Sequence, residues 1–460
     1  MSLIFPKRLD APMFSGRQLR LLIIPLVIEQ LLAASVGIVD TLMVAQVGEH
    51  AMSGVGLINS INVLLFTVFS ALSTGGSIIT AQYLGRRDER NACRSANQML
   101  QSSTAIALFL MLLCVCLHKG IFQLVYGNVE PAVRDSALSY FLITALAFPA
   151  MSVYNTCASA FRCMGNSRLP MFISVSMNML NAIGNAIFIF VCHMGAAGAA
   201  LATLLSRIYA ACILFFMLRK RSLPVNISEL FPLRWDWKMI RRILYIGIPT
   251  GIENSIFQLG KIMVQSFVST LGTAAIAANT LMDNITSITY LPAMSIGMAL
   301  VTVAGQCTGA GKFNQLRRYT TGFVLMSGLS YLVLLGLLCV FIEPVIALYS
   351  VSAEAAEIGK ELLYIIFIPY VLLWPVSFTL PNALRAAGDV RFSMIVAVAS
   401  MWVFRVGLGW LLCIRMGWGV AGVWVSMAVD WLFRAIFYGG RYLGRRWEQH
   451  HILDSVEEKS

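Results

Sequence analysis

Charge is scarce in this chain. Asp, Glu, Lys and Arg make up 12% of its 460 residues, against about 25% in an ordinary soluble domain. With 58% hydrophobic residues beside that figure, no globular core could enclose the apolar surface, and a soluble fold is excluded. Histidine is rare; of five residues only His450 and His451 are adjacent. No Cys-x-x-Cys occurs, and most cysteines (Cys114, Cys116, Cys157, Cys192, Cys212, Cys339, Cys413) fall inside apolar runs as small core residues, which removes a zinc site and a disulfide framework. There is no GxxxxGK[ST] phosphate loop, no HExxH and no GxSxG, so neither a fused ATP cassette nor a recognisable hydrolase centre is present. The expectation is a non-enzyme without a bound cofactor, driven by an ion gradient or by its substrate's own gradient. The N-terminal stretch MSLIFPKRLDAPMFSGRQLR lacks a signal-peptide design, since the first apolar run is a full span.

What is present is a series of twelve apolar stretches, near 20–44, 53–80, 96–118, 134–158, 169–192, 196–218, 243–269, 276–303, 319–342, 358–383, 392–414 and 419–440. The expected class is an all-α integral membrane protein. The formal charge of +12 sits in alternate loops. With the N-terminus inside, the inner segments hold 26 Lys and Arg, and the outer ones only Lys119, Arg134, Lys360 and Arg415. The bias predicts both termini on the cytoplasmic side of a cell (inner) membrane, and it assigns the positive charge to the membrane rather than to nucleic acid. The polar segment 219–242 is the expected linker between an N-lobe, 1–218, and a C-lobe, 243–446, with a tail at 447–460.

The two halves are copies. Residues 24–85 align with 248–309 without a gap, with 12 identities in 62, including Pro25/Pro249, Glu29/Glu253, Gly48/Gly272 and Gln82/Gln306. AFRCMGNSRLPM (160–171) matches ALRAAGDVRFSM (383–394) at nearly the same offset. Each copy holds six spans, so both insert with one orientation, and the expected architecture is two six-helix lobes related by a pseudo-twofold axis along the membrane normal.

Polar side chains inside spans are candidates for function, because lipid charges heavily for them. Glu29 and Asp40 lie eleven residues apart on span 1, within about 20° of one helical face. Asp40 reads either as an ion or proton site or as an interfacial acid with a neighbour. Glu29 and Glu253 read either as structural, hydrogen-bonded acids or as functional ones. Asp283 joins them on span 8; Asp430 and Arg434, at i and i+4, read as a local ion pair. Lys261 has three readings: neutralising Glu253, neutralising Asp283, or snorkelling. Arg207 and Arg405 complete the intramembrane bases. Asn178, Asn181 and Asn185 share one face of span 5 and either glue helices together or join a carboxylate around a proton-bearing water or a Na⁺; Asn155 and Thr203 could complete that shell, and the run MGAAGAALAT (194–203) permits the close helix approach it needs. Pro25, Pro149, Pro249, Pro292, Pro369, Pro375 and Pro381 lie inside spans, either as hardware of bending helices or as static kinks.

These residues resemble the multidrug and toxic compound extrusion (MATE) transporters over roughly 20–440. The resemblance rests on IVDTLMVAQVGEHAMSG in span 1, the FRCMGNSR and LRAAGDVR turns, NMLNAIGNAIF followed by MGAAGAALAT, and FRVGLGW with GVAGVW, in that order. It implies a twelve-helix, two-lobed, monomeric antiporter that exports small amphipathic organic cations, aromatic drugs and toxins, in exchange for H⁺ or Na⁺. Members with an N-lobe coupling site cluster residues that map here onto Asp40, Asn155, Asn181 and Asn185, with Thr203 nearby. The usual NxxxD of span 5 reads Asn181-Ala-Ile-Gly-Asn185, which removes one titratable group and leaves H⁺ and Na⁺ both open. Another branch couples through C-lobe acids; Glu253 and Asp283 are similar in kind, though Glu253 stands about one turn early. A lipid-linked sugar flippase is the alternative within the same superfamily.

Overall fold

The computed structural model describes residues 12–127, 129–228, 234–349, 351–449 and 453. Residues 229–233 of the expected linker, and the expected tail beyond 449 apart from Leu453, lie outside the described residues, as do His450 and His451.

Each expected span is helical. α1 (Gly16–Ala45), α2 (Glu49–Gly85) and α3 (Glu89–Tyr126) are continuous; α4 (Pro131–Leu146) and α5 (Phe148–Cys163) together form the fourth span. α6 (Arg168–Asn185) runs on through a π-helical turn, Ala186–Val191, and α7 (Gly195–Leu218) closes the first half. The second half repeats the order with α8 (Trp237–Val268), α9 (Thr273–Gly309), α10 (Phe313–Val340) and the short α11 (Ile342–Ala347). Its tenth span is α12 (Ala353–Leu372) followed, through a π turn, by α13 (Leu380–Ala387). The eleventh is α14 (Val390–Ser400), continued by π-helical Met401–Leu408 and Leu411–Arg415, and α15 (Gly419–Leu443) is the twelfth. Among the described residues nine helices are long and apolar enough to cross a membrane, and two bent pairs bring the number to eleven. The remaining expected span, α8, carries the polar Glu253, Asn254, Gln258 and Lys261 and is not among these eleven. Among the described residues there is no strand.

The bends follow from proline. The fourth span turns by 45° between Leu146 and Phe148, beside Pro149, and the tenth by 52° between Leu372 and Pro375. Proline lacks the N–H that would close the preceding turn. These are equivalent spans of the two copies, so the break is a repeated feature. The turns repeat as well. Gly48 and Gly272, before α2 and α9, have φ of 135° and 96°; Gly165 and Gly388, after α5 and α13, have φ of 79° and 104°. A residue with a Cβ is strained there, which accounts for these glycines standing in register in both copies.

The chain forms two compact units, Ile24–Ile248 and Met1–Ile23 together with Pro249–Ser460. Both boundaries fall next to the duplicated proline, Pro25 and Pro249, inside α1 and α8. In the first unit Phe69, Phe122, Phe141 and Phe148 fill the core, and in the second Tyr331, Tyr370, Trp424 and Trp431 do so. Large apolar side chains also stand on the outside: Phe109 is 64% exposed and Ile395 61%. An outward face of this kind suits hydrocarbon and not water.

Buried charge is handled the same way in both units. Arg162 at the end of α5 donates to Glu29 Oε1 at 2.7 Å, and Tyr154 Oη donates to the same oxygen at 3.4 Å. At the equivalent place in the second copy Arg385 of α13 donates to Glu253 Oε1 at 2.5 Å. Glu29 and Glu253 are thus held in equivalent ion pairs. Asp430 accepts from Arg434 at 2.9 Å, one turn along α15.

Close helix approach shapes the end of each half. A Cβ on Gly184 would stand 2.9 Å from that of Ala202, and one on Gly198 would stand 2.9 Å from the Phe188 carbonyl oxygen. Gly422 meets Leu412 of the second copy with equal tightness. The small-residue run of α7 therefore lets α6 and α7 lie backbone against backbone.

Two measurements test this account. Glu29→Gln leaves a buried guanidinium without its counter-charge, a loss of about 3–5 kcal/mol; thermal unfolding of the protein in detergent is expected to show a clear fall in melting temperature, smaller in a double variant that also carries Arg162→Gln. Gly198→Val forces α6 and α7 apart at a cost of about 1–3 kcal/mol, read in the same assay, whereas Gly120→Val, where a Cβ meets nothing, is expected to leave the melting temperature close to that of the wild type.

Candidate ion and substrate site

The first unit holds a cavity of about 380 Å³ between α1, α2, α4, α6 and α7. Asp40 enters it from α1, Asn178, Asn181 and Asn185 from one face of α6, and Thr203 and Arg207 from one face of α7. The spacing explains the placement. Positions i, i+3 and i+7 on α6, and i and i+4 on α7, share a face, and the glycine-mediated contact brings the two faces together. The π-helical turn begins directly after Asn185, a local widening that is common at functional sites.

Asp40 is the centre of the hydrogen bonding. Asn185 Nδ2 donates to Asp40 Oδ1 at 2.6 Å. A carboxylate only accepts, so the amide nitrogen of Asn181 faces it and lies 2.9 Å from both Oδ1 and Oδ2. The Asn181 oxygen then accepts from Thr203 Oγ1 at 3.2 Å. Both oxygens of Asp40 are therefore occupied by amide donors. Asn178 Nδ2 and Asn185 Oδ1 are buried and have no partner among the described residues. Tyr140 of α4 lines the same cavity and donates to Asn59 Oδ1 at 3.4 Å.

Arg207 is the second charge of the cavity. It lies within electrostatic range of Asp40. Its guanidinium sits 4.9 Å from the centre of the Phe66 ring and donates to the thioether sulfur of Met151. The sequence marked Arg207 as an intramembrane base without assigning it to this site. The signal was there: Arg207 follows Thr203 by four residues, one turn along the same face.

The expected cluster changes in one member. Asp40, Asn181, Asn185 and Thr203 come together, but Asn155 is not among the residues lining the cavity. From the fourth span Tyr140 reaches it, and Asn155 lies fifteen residues further on, about 20 Å of helix and past the bend at Ala147. Glu29 and Glu253 are likewise outside it, in their pairs with Arg162 and Arg385. In the second unit Asn279 Nδ2 donates to Asp283 Oδ2 at 3.3 Å, and Trp424 Nε1 donates to Asn279 Oδ1 at 2.9 Å. Lys261 acts electrostatically on Asp283, while Glu253 is already taken by Arg385. Among the described residues no group of three His, Cys, Asp or Glu side chains comes together as a metal set.

The MatE family model matches the chain twice, over residues 25–187 and 249–411, two segments in the register of the internal duplication. The "Probable multidrug resistance protein NorM" of Thermotoga maritima is 28% identical over 445 residues, 95% of this chain and 94% of that protein. The "Uncharacterized transporter YisQ" of Bacillus subtilis is 26% identical, covering 92% of this chain and 93% of its own. Among solved structures, an outward-facing multidrug resistance MATE transporter of the MOP superfamily superposes with a TM-score of 0.85 at 20% identity, covering 96% of each chain. A MOP superfamily transporter from Pyrococcus furiosus, described as having a binding pocket of reverse polarity, superposes with a TM-score of 0.83 at 21% identity over 96% of this chain and 99% of its own. The twofold match covers well over half of the sequence, and the chain belongs to the MatE family of multi-pass membrane transporters.

Proposed function

We propose that this protein is a secondary active exporter of the cell membrane, with both termini cytoplasmic, which moves small amphipathic organic compounds bearing a cationic group outward as H⁺ moves inward through Asp40. The reading is supported by relatives named as multidrug resistance proteins, by the loop-charge bias, and by a cavity that sets one carboxylate among apolar walls from Val44, Met52, Val55 and Met177. Methionines in such a wall re-pack around cargoes of different shape.

The single observation that carries the mechanism is the double amide clasp on Asp40. It holds the ionised carboxylate in a low-dielectric cavity. A proton arriving at Asp40 removes the charge that the Asn181 and Asn185 amides hold, and so loosens α1 from α6. Cargo and proton then compete for one carboxylate and favour opposite arrangements of the unit, which is the differential binding that antiport requires. A Na⁺ would need amide oxygens turned toward it. Here the amide nitrogen of Asn185 faces Asp40, which supports the proton as the coupling ion.

Pro25, between Glu29 and the first turns of α1, leaves the Leu21 carbonyl without its intrahelical donor. It is the place where α1 would bend as Asp40 changes its partners.

The test is efflux of a fluorescent organic cation from proteoliposomes under an imposed pH gradient and, separately, an imposed Na⁺ gradient. The pH gradient is expected to drive wild-type efflux, with Asp40→Asn reduced to the leak rate at equal protein content. Efflux driven by Na⁺ alone would reassign the ion, and normal efflux by Asp40→Asn would remove Asp40 from the mechanism.

A further inference from the structure

The intramembrane Arg434 and Arg405, and Arg162 and Arg385 at the inner ends of their spans, are matched with acids; Arg207 is the exception among these five. Arg162 pairs with Glu29, Arg385 with Glu253, and Arg434 and Arg405 with Asp430 at 2.9 and 3.9 Å. Arg207 has no carboxylate partner among the described residues. Its one hydrogen-bond acceptor there is the Met151 sulfur, a weak acceptor, and its guanidinium lies against the Phe66 face. A guanidinium has five N–H donors in a planar fork, so most of this one's donor capacity is unused. The cost of an intramembrane cation without a paired acid is considerable; even Arg405, which also donates to a methionine sulfur, has Asp430 at 3.9 Å.

The nearby acid does not take that role. Both oxygens of Asp40 are engaged by Asn185 and Asn181. The cavity thus has two charged residues of unlike status: an acid whose acceptor positions are filled and a base whose donors are not. Beside them stands Asn178, whose buried Nδ2 is a further donor without a partner. Arg207 and Asn178 both line the cavity, and what the pair lacks is an acceptor with negative charge. A carboxylate fits best, since its two oxygens match the guanidinium fork bidentately.

We infer that Arg207 is the anion-binding residue of this cavity, and that the preferred cargo is an amphipathic zwitterion whose carboxylate is held by Arg207 and Asn178 while its cationic group is directed to Asp40. This rests on the reading of the cavity as the cargo site and narrows the cargo from organic cations in general to compounds that also carry a carboxylate. It makes Arg207 a specificity residue. A cargo lacking the carboxylate would leave the buried guanidinium unmatched in the bound state, and a site built around a hydrogen-bonded group discriminates strongly against the analogue without it.

The experiment compares two dyes that differ in one group: a rhodamine with a free carboxylate and the same rhodamine as its methyl ester. Binding of each to the purified protein in detergent is measured by fluorescence polarisation, and the readout is the ratio of the two Kd values. Wild type is expected to bind the free acid about tenfold or more tightly than the ester, the scale of a charge-assisted bidentate contact. Arg207→Gln should bring the ratio near one, and Arg207→Lys, which keeps the charge but loses the fork, should fall between. Because the ratio is internal to each preparation, a partly misfolded variant lowers both affinities without moving it. A wild-type ratio near one, or a ratio unchanged by Arg207→Gln, overturns the inference. Gradient-driven efflux is scored separately: if neither a pH nor a Na⁺ gradient moves either dye while the ratio collapses in Arg207→Gln, the antiport reading fails and the anion site stands.

Discussion

The constraint on which the structure depends is the cost of charge in an apolar medium. Glu29, Glu253, Asp430 and Arg434 are carried inside spans, with Arg162 and Arg385 at the inner ends of theirs, and each is paired with an opposite charge from another helix or another turn. Breaking such a pair leaves a bare ion in low dielectric, so the pairs fix which helices must stay together. In both copies the pair ties the α1 or α8 acid to the basic residue that ends the bent span, Arg162 or Arg385. The bend itself frees backbone groups, and the ion pair clamps the helix just beyond it.

Against this repeated frame, the two halves part company at the cavity. The position of Asp40 in the second copy is Val264, and that of Thr203 is Met427. The second unit instead places Asp283 near Lys261 and Arg405, with Asn279 and Trp424 around it. Duplication supplied two equal scaffolds with the same turns, bends and ion pairs, and the polar residues lining them diverged. The amide clasp around Asp40 is accordingly a feature of one unit and not of the fold.

The cavity combines opposite demands. Its acid is over-provided with donors and its base under-provided with acceptors, while valine and methionine form the walls.

Much of this was legible in the chain itself. Twelve apolar runs, an alternating loop charge and a gapless 62-residue duplication determine a polytopic helical protein of two six-span copies, because span length is set by bilayer thickness and helical periodicity acts locally. The stripe Asn178, Asn181, Asn185 and the small-residue run of α7 were readable for the same reason, since residues i+3, i+4 and i+7 share a face whatever the tertiary fold. The partners were not readable. Glu29 finds Arg162 across 133 positions and Asp40 finds Asn185 across 145, and nothing local encodes such distances. For the same reason Asn155 could be grouped with Asp40 by resemblance, while the bend at Ala147 gives Tyr140 that place instead. The sequence by itself determined how many helices cross, where they break and which faces are polar. Only the tertiary structure decided which charges meet, leaving Arg207 without a paired carboxylate among the described residues, because that depends on how the helices pack and not on their periodicity.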